Sequence, residues 1–125
     1  MMERLIIKES KSTPLVDFDP DKGLLLIKGQ SYPEDSFGFF KPIIEWLKVY
    51  LSEAPSKILL EFGLTYINTS SSKCIMMFLD ALEEAYEKGL NIDLKWFCNE
   101  ENEYEQECAE EFQEDYTFPF EIVLS

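Results

Sequence analysis

Histidine is missing from all 125 residues. Without a side chain that titrates near neutrality, Ser-His-Asp and Cys-His nucleophilic machinery, imidazole general bases and almost every common zinc site are excluded. Cysteine is scarce: Cys74, Cys98 and Cys108 are an odd number with no close pairing, so they read as buried thiols in a reducing cytoplasm rather than as a metal or redox motif. Bases are few, 11 against 25 acids, for a net charge of −14. Such a chain repels phosphate backbones and anionic headgroups, which argues against nucleic acid and membrane partners. Long apolar runs are also lacking, none approaching the roughly 18 residues of a membrane span, and the opening MMERLIIKESKSTP has no secretory cleavage pattern.

What is present is enough for a core. The apolar fraction is 46% and the aromatic fraction 14%, so the chain folds despite its charge, and its length suits one domain over residues 1–125. Arg4 to Lys8 is a short apolar run; Val16 to Phe18 and Leu24 to Lys28 flank DPDKG, a hairpin turn in which Gly23 takes positive φ. Phe37, Phe40, Ile44, Leu47 and Leu51 then recur at helical spacing, with Asp35 or Ser36 as cap and Pro55 beyond the end. Pro42 lies inside this pattern, so the helix is expected to begin near it, after a turn over Phe37 to Phe40.

Lys57 to Ile67 is almost continuously apolar, which predicts a central strand covered on both faces. A helix is expected over Ser72 to Lys88, with Ile75, Phe78, Leu79, Leu82 and Tyr86 on its stripe and Gly89 as its stop. Ile92 to Cys98 alternates as a strand with one wetter face. Tyr104, Cys108 and Phe112 mark a third helix with a narrow apolar stripe, and Phe118 to Leu124 alternates again. The expected fold is α/β: a single domain whose mixed sheet starts with an N-terminal hairpin followed by α-β-α-β-α-β, its later strands parallel through right-handed crossovers and flanked by helices.

Between the central strand and the second helix lies NTSSSK, Asn68 to Lys73. Asn, Thr and Ser are favoured N-caps, and one of them would suffice; the acidic partner of a capping box is absent, because Ser72 and Lys73 stand where it would be. The position suggests more, since ligands and partners gather where strands of an open α/β sheet end. A phosphate here would meet free backbone N–H groups at a helix start, with Lys73 nearby. It would add about −1.5 to −2 charge at neutral pH to a stretch, residues 62 to 72, whose one ionisable group is Tyr66.

Other chemistries fit poorly. SSSK lacks the glycines of a nucleotide-binding loop. The acidic run Glu100 to Asp115, nine carboxylates without a base, lacks the alternating ligands and central glycine of a calcium loop. It reads as a solvated face, with attraction of a basic partner as the functional option. Two readings of other classes stay open: a constitutive acidic adaptor whose hydroxyls merely cap a helix, and a small enzyme using carboxylates for acid/base work.

Two segments, LEFGLTYINTSSSK (Leu60 to Lys73) and FDPDKGLLLIKGQSYPED (Phe18 to Asp35), with the order of elements over nearly the whole chain, resemble the SiaC-type partner-switch phosphoproteins of bacteria. More distantly, strand, hydroxyl cluster and helix are similar to the anti-sigma-factor antagonist (STAS) fold, where Asp commonly precedes the phosphoacceptor and this chain has Asn68. The resemblance implies a non-catalytic switch in c-di-GMP signalling, without a cofactor or metal. In it, a cognate kinase phosphorylates the matching threonine, Thr69, and a metal-dependent Ser/Thr phosphatase reverses this. The unmodified form binds and regulates a diguanylate cyclase. Asn68, Ser70, Ser71, Ser72 and Lys73 are then the surroundings of the acceptor and the partner contact, with Ser70 the second choice for modification and Met76 and Asp80 as neighbouring contacts.

Overall fold

The computed structural model describes residues 2–125 as nine elements. β1 (Leu5–Ile7), β2 (Leu15–Asp19) and β3 (Leu24–Ser31) form an antiparallel meander. Then α1 (Ser36–Ser52), β4 (Ile58–Ile67), α2 (Thr69–Glu87), β5 (Ile92–Cys98), α3 (Glu103–Glu114) and β6 (Phe120–Leu124) alternate, with β3 to β6 parallel. The six strands lie in chain order. The hairpin turns at Gly23, whose φ is +66° and where a Cβ would sit 2.5 Å from the Lys57 carbonyl oxygen.

Strands that always step the same way by right-handed crossovers put every helix on one face. Phe18, Leu25, Leu60, Leu94 and Phe120 share one rung of that face through the strand register. Against the same face, Trp46 of α1 packs on Phe18, Phe78 of α2 on Phe18 and Phe62, and Phe112 of α3 on Trp96. The core is this single layer, with Phe62, Leu79 and Trp96 almost fully buried at its centre.

The expectation that β4 is covered on both faces is therefore wrong. Its residues alternate between buried and half-buried from Ile58 to Leu64, and among the described residues the opposite face of the sheet carries no helix. The apolar run misled because that face still holds Leu24 beside Leu59 and Phe97 beside Val123, relieved by the charge ladder Glu61–Lys95–Glu121.

Three helix expectations shift. α1 begins at Ser36, capped by Asp35, whose carboxylate accepts from the Gly38 N–H at 3.0 Å, so Pro42 lies inside the helix. Proline there leaves the Gly38 carbonyl without its helical partner, but Gly38 and Pro42 are both exposed, so that carbonyl lies on the solvent side of the helix. Phe37 is correspondingly exposed rather than on the buried stripe. α2 starts at Thr69, not Ser72, because Asn68 supplies the cap. In α3 the buried positions are Glu105, Ala109 and Phe112, one residue round from the expected Tyr104–Cys108–Phe112 stripe.

Candidate functional site

The polar cluster sits at the C-terminal edge of the sheet, where β4 hands over to α2. Near its end β4 gains one residue against β3: Gly29 pairs with Leu64 but Gln30 with Tyr66, so Thr65 is skipped. Such a bulge re-aims the side chains after it. Tyr66 is left exposed between Tyr32 and Tyr104, with ring centroids 5.9 and 6.1 Å away, and Ile67 turns into the core.

Asn68 is then held from several directions. Its backbone N–H donates to the Ser31 carbonyl at 2.9 Å, and its side-chain oxygen accepts from the Ser71 N–H at 2.9 Å, satisfying one of the free donors of the helix start. The Ser70 hydroxyl reaches the same oxygen at 3.4 Å. Behind it runs a chain of serine hydroxyls from three elements: Ser31 donates to Ser71 at 2.8 Å, and Ser36 lies 3.2 Å from Ser71 and 2.7 Å from Ser70. The ends of β3, α1 and α2 are thereby tied together through buried hydroxyls.

The expected site residues separate by accessibility. Ser71 is fully buried, Asn68, Ser70 and Ser72 are half-buried, and Thr69 and Lys73 are exposed. Among the described residues Thr69 is also the member of the Thr69–Ser71 run whose hydroxyl makes no hydrogen bond within the protein, while Ser70 and Ser71 are both engaged. The hydroxyls are not a loop before the helix; Thr69 is its first residue.

Thr69 opens onto a cavity of about 290 Å³, with Ser72 and Lys73 on its own side and Tyr104, Glu107 and Glu111 of α3 opposite. The sequence reading missed these α3 residues. The local stretch is neutral, but the fold brings two carboxylates to it from about forty positions away. Both lie on one exposed helix face and do not form the unlike pair that acid/base catalysis needs. Cys108 also lines the cavity, and burial followed by the nearby Glu111 pushes its thiol up to about 11, so it stays protonated and is no nucleophile at neutral pH. Cys74 and Cys98 are raised as well, both chiefly by burial. Among the described residues no cluster of three His, Cys, Asp or Glu side chains is arranged to hold a metal, and no helix is long and apolar enough to cross a membrane.

Large apolar side chains are exposed at this end of the molecule and along α2. Tyr66, Tyr104 and Phe37 are between 45% and 54% exposed, Phe37 adjoining the cluster through its neighbour Ser36, and Met76 and Met77 lie two turns into α2, 40% and 47% exposed. Asp80 is exposed but already accepts the Tyr116 hydroxyl at 2.8 Å.

Comparison with known proteins is consistent with this arrangement. Residues 7–125 match the SiaC family regulatory phosphoproteins. An uncharacterized protein of Pseudomonas aeruginosa (strain UCBPP-PA14) is 41% identical over 121 residues, which is 97% of this chain and 96% of that protein. The structure of SiaC of Pseudomonas aeruginosa superposes with a TM-score of 0.94 at 39% identity, covering 99% of this chain and 100% of that one. SiaC in the crystal structure of the diguanylate cyclase SiaD in complex with its activator SiaC, from the same organism, gives 0.93 at 40% identity, covering 97% and 99%. On family match, identity and fold together, this chain belongs to the SiaC family of regulatory phosphoproteins, a family whose members act by regulation rather than catalysis.

Proposed function

We propose that this protein is a cytoplasmic, phosphorylation-controlled activator of a diguanylate cyclase. Thr69 is the phosphoacceptor: a cognate kinase modifies it, a metal-dependent Ser/Thr phosphatase restores it, and only the unmodified form docks on the cyclase. The observation that carries this reading is the exposure of Thr69 and the freedom of its hydroxyl, beside Ser70 and Ser71, which are already bonded, and Ser72, which is half-buried. The exposed apolar residues around it suit a protein contact. The relative SiaC is an activator of the cyclase SiaD, which supplies the partner class.

A phosphate would place a dianion inside such a contact, where it must be desolvated with Lys73 as the one cation of the cavity lining. A loss of about 3 kcal/mol, enough for a hundredfold fall in affinity, makes an effective switch. The test is to incubate the protein with ATP and the kinases encoded near it, map the phosphate by mass spectrometry, and measure cyclase binding and activity. Wild type is expected to be modified at Thr69 and released; Thr69→Ala is expected to escape modification and bind constitutively. Modification elsewhere, or a phosphorylated form that binds as well as the unmodified one, removes the switch. The capping bond from Asn68 favours one second reading, a constitutive adaptor, which predicts that Thr69→Ala behaves as wild type throughout.

A further inference from the structure

The two walls of the Thr69 cavity differ in how firmly they are held. α2 is fixed by Cys74, Ile75, Phe78, Leu79, Leu82 and Ala85, all buried. α3 buries only Glu105, Ala109 and Phe112, and its anchors are uneven along its length. At its C-terminal end Phe112 stacks on Trp96 at 5.3 Å. In the loop beyond, Tyr116 donates to Asp80 and to the Met76 carbonyl, and Thr117 donates twice to Glu83. At its N-terminal end the ties to the sheet are weaker: the Tyr104 hydroxyl on the Ile67 carbonyl at 3.3 Å, the Tyr104–Tyr66 stack at 6.1 Å, and a sulfur contact from Cys98 to the Glu105 carbonyl at 3.6 Å; the Asn102 cap on the Glu105 N–H and the two bonds from Gln106 to the Asn99 and Glu100 carbonyls tie it only to the loop before it.

The loosely held wall is also the charged one. From Trp96 to Ser125 the chain has ten carboxylates and no lysine or arginine. Glu103, Glu107 and Glu111 follow one another at i,i+4, a like-charge spacing that opposes the helix. Glu107 and Glu111 line the cavity across from Thr69, where Lys73 is the sole ammonium in the lining. A phosphate would therefore take a lining that is already net negative and add about −1.5 to −2 more, of which Lys73 can offset one charge.

Resting on the reading of Thr69 as the acceptor, we infer that α3 is the element that reads the phosphate: the dianion repels Glu107 and Glu111, lifts the N-terminal half of α3 from the sheet edge, and breaks up the Tyr66–Tyr104 ledge. That ledge adjoins Thr69 and carries two of the most exposed large side chains at this end of the molecule, so its loss removes part of the surface offered to the cyclase. Glu107 and Glu111 are thus the sensors and Tyr104 the latch. Glu111 already acts this way on the Cys108 thiol, whose rise is due first to burial and then to that carboxylate. The hinge is the Phe112–Trp96 contact, which stays while the free end moves.

The experiment installs phosphothreonine at position 69 of the full chain by genetic encoding, confirms it by intact mass, and follows hydrogen exchange of residues 103–114. Phosphorylated wild type is expected to exchange about tenfold faster than unmodified protein in the first two turns of α3. Glu107→Gln together with Glu111→Gln is expected to abolish most of that acceleration and to recover about tenfold of the cyclase affinity lost on phosphorylation. Both glutamates are exposed and glutamine is a comparable helix former, so the variant folds, which its thermal melt checks. As a second arm, Tyr104→Phe keeps the stack but drops the Ile67 bond, and is expected to speed α3 exchange without any phosphate. Unchanged α3 exchange in the confirmed phosphoprotein overturns the inference, and if cyclase binding is nevertheless lost, the switch survives as direct occlusion at Thr69. Acceleration that persists in the double glutamine variant overturns it as well. Binding unaffected by the phosphate is the separate outcome that removes the switch itself.

Discussion

Thr69 and Ser71 are two residues apart and face opposite environments. Ser71 is sealed behind the start of α2, accepting from Ser31 at 2.8 Å, whereas Thr69 is exposed and free of protein partners. Ser71→Ala strands the buried Ser31 hydroxyl, a loss expected to cost about 1–3 kcal/mol in urea unfolding. Thr69→Ala removes an exposed hydroxyl and should stay within about 0.5 kcal/mol of wild type. Equal losses at both positions would contradict the division between a buried scaffold hydroxyl and an exposed one. At this scale the sequence shows that a hydroxyl-rich cap is present, because N-cap chemistry is local. It cannot rank the hydroxyls: Ser71 is buried by Ser31 and Ser36, which lie 40 and 35 positions away.

Among the elements, the hairpin, β5 and the α2 stripe are legible because each rests on a short-range period or a turn residue. α1 and α3 are misread where local rules meet a tertiary exception: Pro42 is tolerated because its orphaned carbonyl faces water, and the α3 stripe turns by one residue to seat Ala109 and Phe112. The loop after α3 is fastened to α2 by Glu83, which accepts from the Thr117 hydroxyl at 2.6 Å and the Thr117 N–H at 2.9 Å. Partial burial pushes the Glu83 carboxyl up, but these hydrogen bonds pull it further down, so it ends below its ordinary value of 4.5. A carboxyl lowered by folding stabilises the protein above its unfolded pKa, and the stabilisation disappears as pH falls through the folded value. The urea midpoint of wild type is therefore expected to drop more steeply below about pH 4.5 than that of Glu83→Gln, with the variant the less stable at pH 7. Parallel acid limbs would mean that the Glu83 clamp contributes nothing.

For the molecule as a whole, the charge of −14 opposes compactness, and among the described residues the ion pairs are the two-bond Arg4–Asp17 contact, the longer Arg4–Asp19 contact and the exposed Lys88–Glu84 contact, too few to offset the excess of acids. Screening should therefore stabilise: raising NaCl from about 0.02 to 0.5 M is expected to increase Tm by about 4 °C, and a fall in Tm would show that attraction outweighs repulsion. The imbalance is also uneven, since ten of the 25 acids lie in the last thirty residues, the segment that includes the far wall of the Thr69 cavity. The sequence by itself determined the class of fold, the order of its elements, the absence of histidine-based chemistry and the position of the hydroxyl cap, because composition and periodicity act over a few residues. Only the tertiary structure decided that all three helices share one face, that Thr69 is the most exposed hydroxyl of the cluster, and that Glu107 and Glu111 stand across from it. Those outcomes depend on crossover direction, on a one-residue bulge at Thr65 and on contacts between distant segments, none of which a local pattern encodes.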